Sequence, residues 1–297
     1  MILGLKRGTV ALAPHDPERE RVASKTIERL WSIFCDVAKD IQHVGSTAIT
    51  SIKAKPIIDI AVAVQDFDEV MALSLALEEK DFLYRKRENH EDESLLFACG
   101  DYSNPGGIVT HFIHVVKIDG SEFINYINFR DYMNTHSTEA TAYEALKLRL
   151  MDENPIDPGR EKYFDGKKDF IAEKLTLAQL WNDFERKFTH IEPINKGWSS
   201  DNKYYAKTAD DKQFLIRTAD ISQYEHKKTE YENMKRVAAL GIPMQQPVDF
   251  GVCNDGKSVF LMLTWMEGDD DEEIFPLLPE TEKYALGMKA GKILKEM

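Results

Sequence analysis

Apolar residues recur at helical spacing at Ile27, Leu30, Trp31, Phe34 and Val37 or Ala38, which predicts an amphipathic helix with one stripe turned to a core. Asp16 before Pro17 marks its start, because Asp accepts a hydrogen bond from the first free amides and Pro fits the first helical position. Glu18 and Glu20 in the first turn suit the positive helix end. The period then changes. IQHV leads into Gly45-Ser46, and IIDIAVAV, residues 57–64, is apolar and largely β-branched, the composition of a strand covered on both faces. Val70 to Glu79 reads as a helix, and VTHFIHVV as a strand ending at the KIDG turn. Amphipathic helices and short polar turns such as NPIDPGR follow to about Leu180. Residues 1–180 therefore read as an α/β domain.

A second pattern fills residues 181–297, after a helical connector near Asp183. Tyr204 to Lys207 and Phe214 to Arg217 read as strands joined by the TADDK turn, and Tyr224 to Leu240 as a helix rich in Lys and Glu. GIPMQQP, a strand around Val248 to Val252, an NDGK turn and the strand SVFLMLTW complete it. Strand pair, helix, strand pair makes an α+β lobe. The acidic run Asp269 to Glu273 lacks the alternating ligands and glycine of a calcium loop and reads as a solvated turn.

Composition narrows the function classes. Hydrophobic residues at 43% and charged residues at 30% fit a globular chain with no apolar run long enough to span a bilayer. The N-terminal apolar patch is too short for a secretory signal, so a cytoplasmic protein without a membrane partner is expected. A net charge of -13 argues against binding duplex nucleic acid, but a few local lysines can still hold a single nucleotide. Cys35, Cys99 and Cys253 form no CxxC pair and read as reduced core thiols.

Asp59 is the one acid within IIDIAVAV, and burying an unpaired charge is costly. It either caps a neighbouring amide near a strand end or faces a ligand or metal. Gly45-Ser46 lies just upstream, where glycine lets the backbone approach a phosphate and successive amides form an anion-binding concavity. Lys53, Lys55, Arg87 and Arg130 are candidates to neutralise phosphates, and each reads equally as an ion-pair or surface residue; Lys55, just before Pro56 at the mouth of the strand, is the strongest. His111 and His114 are three apart on a strand and so should face opposite ways, which argues against their chelating zinc together; His114 is the better ligand-facing candidate. Asp131 reads as a partner for Arg130, and Tyr132 as core.

HVGSTAITSIKAKPIIDIAV, with THFIHVV, NFRDYM, the AYEALK helix and KYFDGKKDFI, resembles the GrpB family of the nucleotidyltransferase-like superfamily over roughly residues 8–175. The resemblance implies a mixed sheet with flanking helices and a site for magnesium and ATP or another nucleoside triphosphate. Gly45 and Ser46 would hold phosphate and Asp59 the metal, with Asp59 and His114 as the catalytic candidates. The superfamily pattern has a second aspartate two residues after the first; here that position is Ala61.

KGWSSDNKYYAK, QFLIRTAD, YEHKKTEYENMKRVAALGIPMQQPVDFG and LMLTWMEGD resemble the kinase-like N-terminal lobe of the aminoglycoside phosphotransferases. The resemblance implies nucleotide contacts from Ser199, Ser200, Arg217, Glu230, Thr264 and Met266. Arg217 stands where that family has a phosphate-binding lysine, Glu230 or Glu232 would pair with it, and Thr264 to Met266 match the adenine hinge. No HGDxxxxN motif precedes Met297, so this lobe by itself is not expected to transfer phosphate.

Three functions follow as expectations. The first is magnesium-dependent nucleotidyl transfer to a small acceptor by the N-terminal domain. The second is a catalytically silent module binding a nucleotide or a coenzyme A-like molecule. The third is a piece of a small-molecule phosphotransferase whose catalytic lobe is absent.

Overall fold

The computed structural model describes residues 1–6, 9–86, 94–101, 104, 106–154, 161–184, 186–197, 199–268 and 274–296. It divides into two units, Met1–Gln179 and Leu180–Met297.

The first unit is built on a mixed sheet of β1 (Leu5–Lys6), β2 (Ala38–Val44), β3 (Ile58–Val64), β4 (Leu83–Tyr84), β5 (Ser94–Gly100) and β6 (Ile108–Lys117). The order is β2-β3-β6-β5-β4, with β1 also pairing β6. β3 lies between antiparallel β2 and parallel β6. Its alternation of large and small residues is the alternation of its two faces. Ile58, Ile60, Val62 and Val64 pack with Leu30 and Phe34 of helix α1 (Pro17–Phe34). Ala61 and Ala63 pack on the other side with Val44, Val116 and Phe123 of α4 (Ser121–Thr135).

Helix α1 begins as expected, with the Asp16 carboxylate accepting from the Glu18 amide at 3.0 Å. Its buried stripe is Arg19, Ala23, Thr26, Leu30 and Phe34. Trp31 is 38% exposed instead of core, because it lies one residue, about 100°, round the helix from Leu30. The expected helix over Val70 to Glu79 is two short ones, α2 (Phe67–Ala72) and α3 (Ser74–Glu78), interrupted at Leu73. α5 (Ser137–Glu153), α6 (Glu161–Asp165) and α7 (Lys168–Asp183) complete the helices. Of the NPIDPGR turn only Asn154 lies within the described residues. Cys99 and Cys253 are buried thiols, whereas Cys35, just past the end of α1, is exposed and not core.

The second unit holds an antiparallel sheet of order β10-β11-β9-β8-β7. Its strands are β7 (Phe188–Pro193), β8 (Asn202–Thr208), β9 (Gln213–Asp220), β10 (Pro247–Cys253) and β11 (Ser258–Thr264). Helix α8 (Tyr224–Ala238) joins β9 to β10 and ends two residues before the expected Leu240; α9 (Glu280–Glu296) closes the chain. This is a kinase-like domain, as the resemblance to the aminoglycoside phosphotransferases implied. The Asp269–Glu273 run lies outside the described residues. Among the described residues no helix is long and apolar enough to cross a membrane.

Candidate functional site

Asp59 is the second residue of β3 and the one position of that strand that is not buried. It sits in register with Val44 of β2 and Phe112 of β6. The next residue after Val44 is Gly45, which turns at φ 70° and ψ -170°. A Cβ on Gly45 would stand 2.7 Å from Asp59 Oδ2 and 2.9 Å from Asp59 Cβ. The absence of a side chain is thus what lets the chain bend against the carboxylate. Ser46 opens a short 3₁₀ turn, Ser46–Ala48, closed by the Ala48 amide on the Gly45 carbonyl at 3.2 Å.

The other carboxylate oxygen, Oδ1, lies 3.0 Å from His114 Nε2. His114 of β6 pairs with Ala61 of β3, two residues along from Asp59 and on the same face. The imidazole therefore reaches the acid past an alanine, where a longer side chain would crowd it. His111 faces the opposite way, with Thr26 Oγ1 at 3.3 Å and Thr110 Oγ1 at 2.9 Å. Burial pushes its ring down to about 4. His43 lies 3.0 Å from Thr47 Oγ1, and burial lowers it likewise to about 4 against the opposing pull of Asp59.

Basic and aromatic residues cluster where the charge of Asp59 acts on Lys167 and Tyr143. Lys55 Nζ stands 3.9 Å from the Tyr163 ring centre and 4.9 Å from that of Phe164; Lys167 Nζ stands 4.8 and 5.2 Å from the same two rings. Burial holds the Lys167 ammonium below its usual range, while the Asp59 charge acts in the opposite direction. Lys147 is buried and donates to the Lys53 carbonyl at 2.6 Å. Burial, then the charge of Lys167, brings it down to about 7. Tyr143 is raised by burial first, then by Tyr163 and Asp59. Lys147, Lys167, Tyr143 and Tyr163 were not singled out from the sequence, because none belongs to the Gly-Ser or strand segment. The signal available was the alternation of aromatic and basic residues in KYFDGKK.

Arg130 is engaged in tying α4 to β2. Its Nε donates to Asp131 at 2.8 Å and its Nη1 to the His43 carbonyl at 2.9 Å and Gln42 Oε1 at 3.2 Å. Lys53 is clamped to α5, its amide donating to Glu144 at 2.6 Å. Tyr132 is buried, as expected, and stacks on His136. Arg87 lies outside the described residues.

Asp59 is a single carboxylate with one oxygen taken by His114, and no group of three or more His, Cys, Asp or Glu among the described residues is placed to hold a metal. A two-metal centre does not fit this donor set, since it needs carboxylates that bridge. One magnesium does fit, because that ion takes only one or two carboxylates and completes its shell with water and phosphate oxygens.

The second unit gathers four charges. Arg217 of β9 donates to Asp201 through Nε at 2.9 Å and Nη2 at 2.5 Å, and to Glu230 of α8 through Nη1 at 2.6 Å. Lys227 reaches Asp201 at 2.8 Å and Glu230 at 3.1 Å. Burial would raise the Asp201 and Glu230 carboxyls, but hydrogen bonds from Lys227 and the charge of Arg217 hold both below the usual range. Glu232 instead pairs with Lys235 at 3.5 Å. Ser199 and Ser200 are exposed, and Ser199 accepts from Lys203 through its carbonyl. Thr264 exchanges backbone and hydroxyl bonds with Gln246, and Met266 is half exposed.

Residues 9–176 match the model of the GrpB protein family, and residues 190–297 that of the phosphotransferase enzyme family. The glutamate-rich protein GrpB of Alkalihalophilus pseudofirmus is 34% identical over 175 residues, 59% of this chain and 98% of that protein. A UPF0157 protein of Deinococcus radiodurans is 32% identical over 177 residues, 59% of this chain and 87% of that one. The crystal structure of GrpB from Enterococcus faecalis superposes with a TM-score of 0.50 at 25% identity, over 57% of this chain and 96% of that one.

Proposed function

The chain belongs to the GrpB family, and we propose that its first unit is a transferase that passes a nucleotidyl group from a nucleoside triphosphate to an oxygen of a small acceptor. The observation that carries this is the joint placement of an acid and its imidazole partner at a glycine bend, with the charge of the acid acting on Lys167, which burial disfavours as an ammonium ion. Cations in such surroundings are stabilised by an arriving polyanion. Lys55 and Lys167, with the Gly45-Ser46 backbone, bind the phosphates. The Asp59–His114 pair takes the proton of an acceptor hydroxyl as its oxygen bonds to the α-phosphorus and the bond to the pyrophosphate leaving group breaks. Magnesium, held by Asp59, supplies charge neutralisation when bound.

Calorimetric titration of ATP and UTP with magnesium, together with an assay of pyrophosphate release, tests this reading. Lys167→Met is expected to weaken binding about tenfold, the loss of one charge-assisted contact. Asp59→Asn is expected to bind and not turn over. Ala61, standing where a second carboxylate would be, favours a second reading, a module that binds a nucleotide or coenzyme A-like ligand without reaction. Binding with no pyrophosphate release, indifferent to Asp59→Asn, would establish that module instead; absence of any nucleotide binding removes both.

A further inference from the structure

The chain between β2 and β3, residues 45–57, has no helix or strand beyond the Ser46–Ala48 turn, and several of its backbone groups find their partners on side chains of α4 and α5. Asn134 of α4 donates through Nδ2 to the Ala48 carbonyl at 2.9 Å, and its Oδ1 accepts from the Thr50 amide at 3.0 Å and the Thr50 hydroxyl at 3.3 Å. Ala48 is the residue whose amide closes the turn on the Gly45 carbonyl, so Asn134 ties the far end of that turn to α4. Glu144 of α5 accepts from the Lys53 amide at 2.6 Å, and Lys147, one turn along the same helix face, donates to the Lys53 carbonyl at 2.6 Å. Both backbone groups of Lys53 are thereby fixed, two residues before Lys55. Asn134 is exposed and the Glu144 side chain is 22% exposed, so neither is needed to fill a core.

We infer that Asn134 and Glu144 are positioning residues of the first site: they touch no substrate but hold the backbone of residues 48–53, so that the Gly45-Ser46 amides and Lys55 are already in place for the phosphates of the nucleotide. This rests on the transferase reading of the first unit and adds to it the side chains that give the binding segment its shape. Donors held in place before the anion arrives bind it without a further loss of chain freedom. The sign of the effect at Glu144 separates this role from a simple charge effect. As a charge near a polyphosphate, the acid is repulsive, and its removal by electrostatics alone would tighten binding. As a positioning group, its removal leaves the Lys53 amide without its acceptor and weakens binding.

Calorimetric titration of the full chain with ATP or UTP and magnesium compares Asn134→Ala, Glu144→Ala, Glu144→Gln and Asn128→Ala. The first two are expected to weaken binding about fivefold or more, the worth of one hydrogen bond. Glu144→Gln loses the charge but keeps an oxygen for the Lys53 amide, and is expected to bind as tightly as the native chain or more tightly. Asn128→Ala removes a buried amide of the same helix that is turned to Gln179 at 3.2 Å, and is expected to stay within about twofold. In the pyrophosphate-release assay the losses should fall on KM and leave kcat within about threefold, because the Asp59–His114 pair stands on β3 and β6. Native-strength or tighter binding by Asn134→Ala or Glu144→Ala overturns the inference and leaves the transferase reading standing. A loss in Glu144→Gln as large as in Glu144→Ala, or in Asn128→Ala as large as in Asn134→Ala, overturns it as well. Binding of neither nucleotide by the native chain removes both the reading and the inference. Circular dichroism identifies a variant that has not folded; should that be Glu144→Ala, Asn134→Ala decides, since its side chain is exposed.

Discussion

Replacing Gly45 by alanine tests the geometry on which the first site rests. The φ of 70° with ψ of -170° belongs to a region open almost only to glycine, and a residue with a side chain held there pays about 1–3 kcal/mol in backbone strain. The new methyl would also stand 2.7 Å from Asp59 Oδ2 and 2.9 Å from Asp59 Cβ, so the strand acid or the bend must shift. Overpacking of this kind adds about 1–3 kcal/mol. The total, roughly 2–6 kcal/mol, corresponds to a fall of about 4–24 °C in the melting temperature of a unit this size. Gly106→Ala is the control: its φ is 81°, but the added methyl meets only the flexible end of Lys6. Calorimetry of the full chain should show Gly45→Ala losing clearly more than Gly106→Ala in the transition of the first unit. Because the clash is with Asp59, an Asp59→Ala background should reduce the cost by about 1 kcal/mol or more. Equal losses in the two glycine variants, or strict additivity with Asp59→Ala, would refute the close approach of bend and acid.

Other predictions concern charge. Lys147 has its ammonium lowered to about 7 in the fold against about 10.4 unfolded, so between these values the unfolded chain binds the extra proton and stability rises with pH. Chemical denaturation at intervals from pH 7 to 10 should show that rise, and Lys147→Met should flatten it. His43 and His111 are each lowered to about 4, so stability should fall as pH drops from about 6.5 toward 4, and His111→Gln should reduce that acid-side loss. Glu230→Gln breaks bonds to both Arg217 and Lys227 and should cost about 2 kcal/mol or more, while Glu232→Gln, which loosens one exposed pair, should cost less than about 0.5 kcal/mol in the same melt.

Local patterns were enough to place the elements whose reason is local. Asp16-Pro17 announced α1, and the β-branched run announced β3, since capping chemistry and two-faced burial leave their mark on neighbouring residues. The rotation of α1 was harder to read, because Trp31 counts as apolar in any periodicity although the packed stripe runs through Thr26 and Leu30. β5, SLLFACG, lies beside β6 and pairs with it from Ser94 to Gly100, yet its apolar run went unassigned, because a short run alone does not separate a covered strand from a buried helix turn.

By itself the sequence determined that an acid lies inside an apolar strand next to a glycine bend and that His111 and His114 part to opposite faces, while the kinase-like lobe of the second half was legible only as a resemblance to the aminoglycoside phosphotransferases. Spacing along one strand or loop fixes such relations, since the chain geometry is short-ranged. Tertiary structure alone decided that His114 closes on Asp59 between parallel strands, that Lys147 meets the Lys53 carbonyl, and that Asp201 and Lys227 complete the charges around Arg217 and Glu230. Those contacts join residues from 13 to 94 positions apart, and strand register and helix packing, not local propensity, bring such groups within a few ångströms.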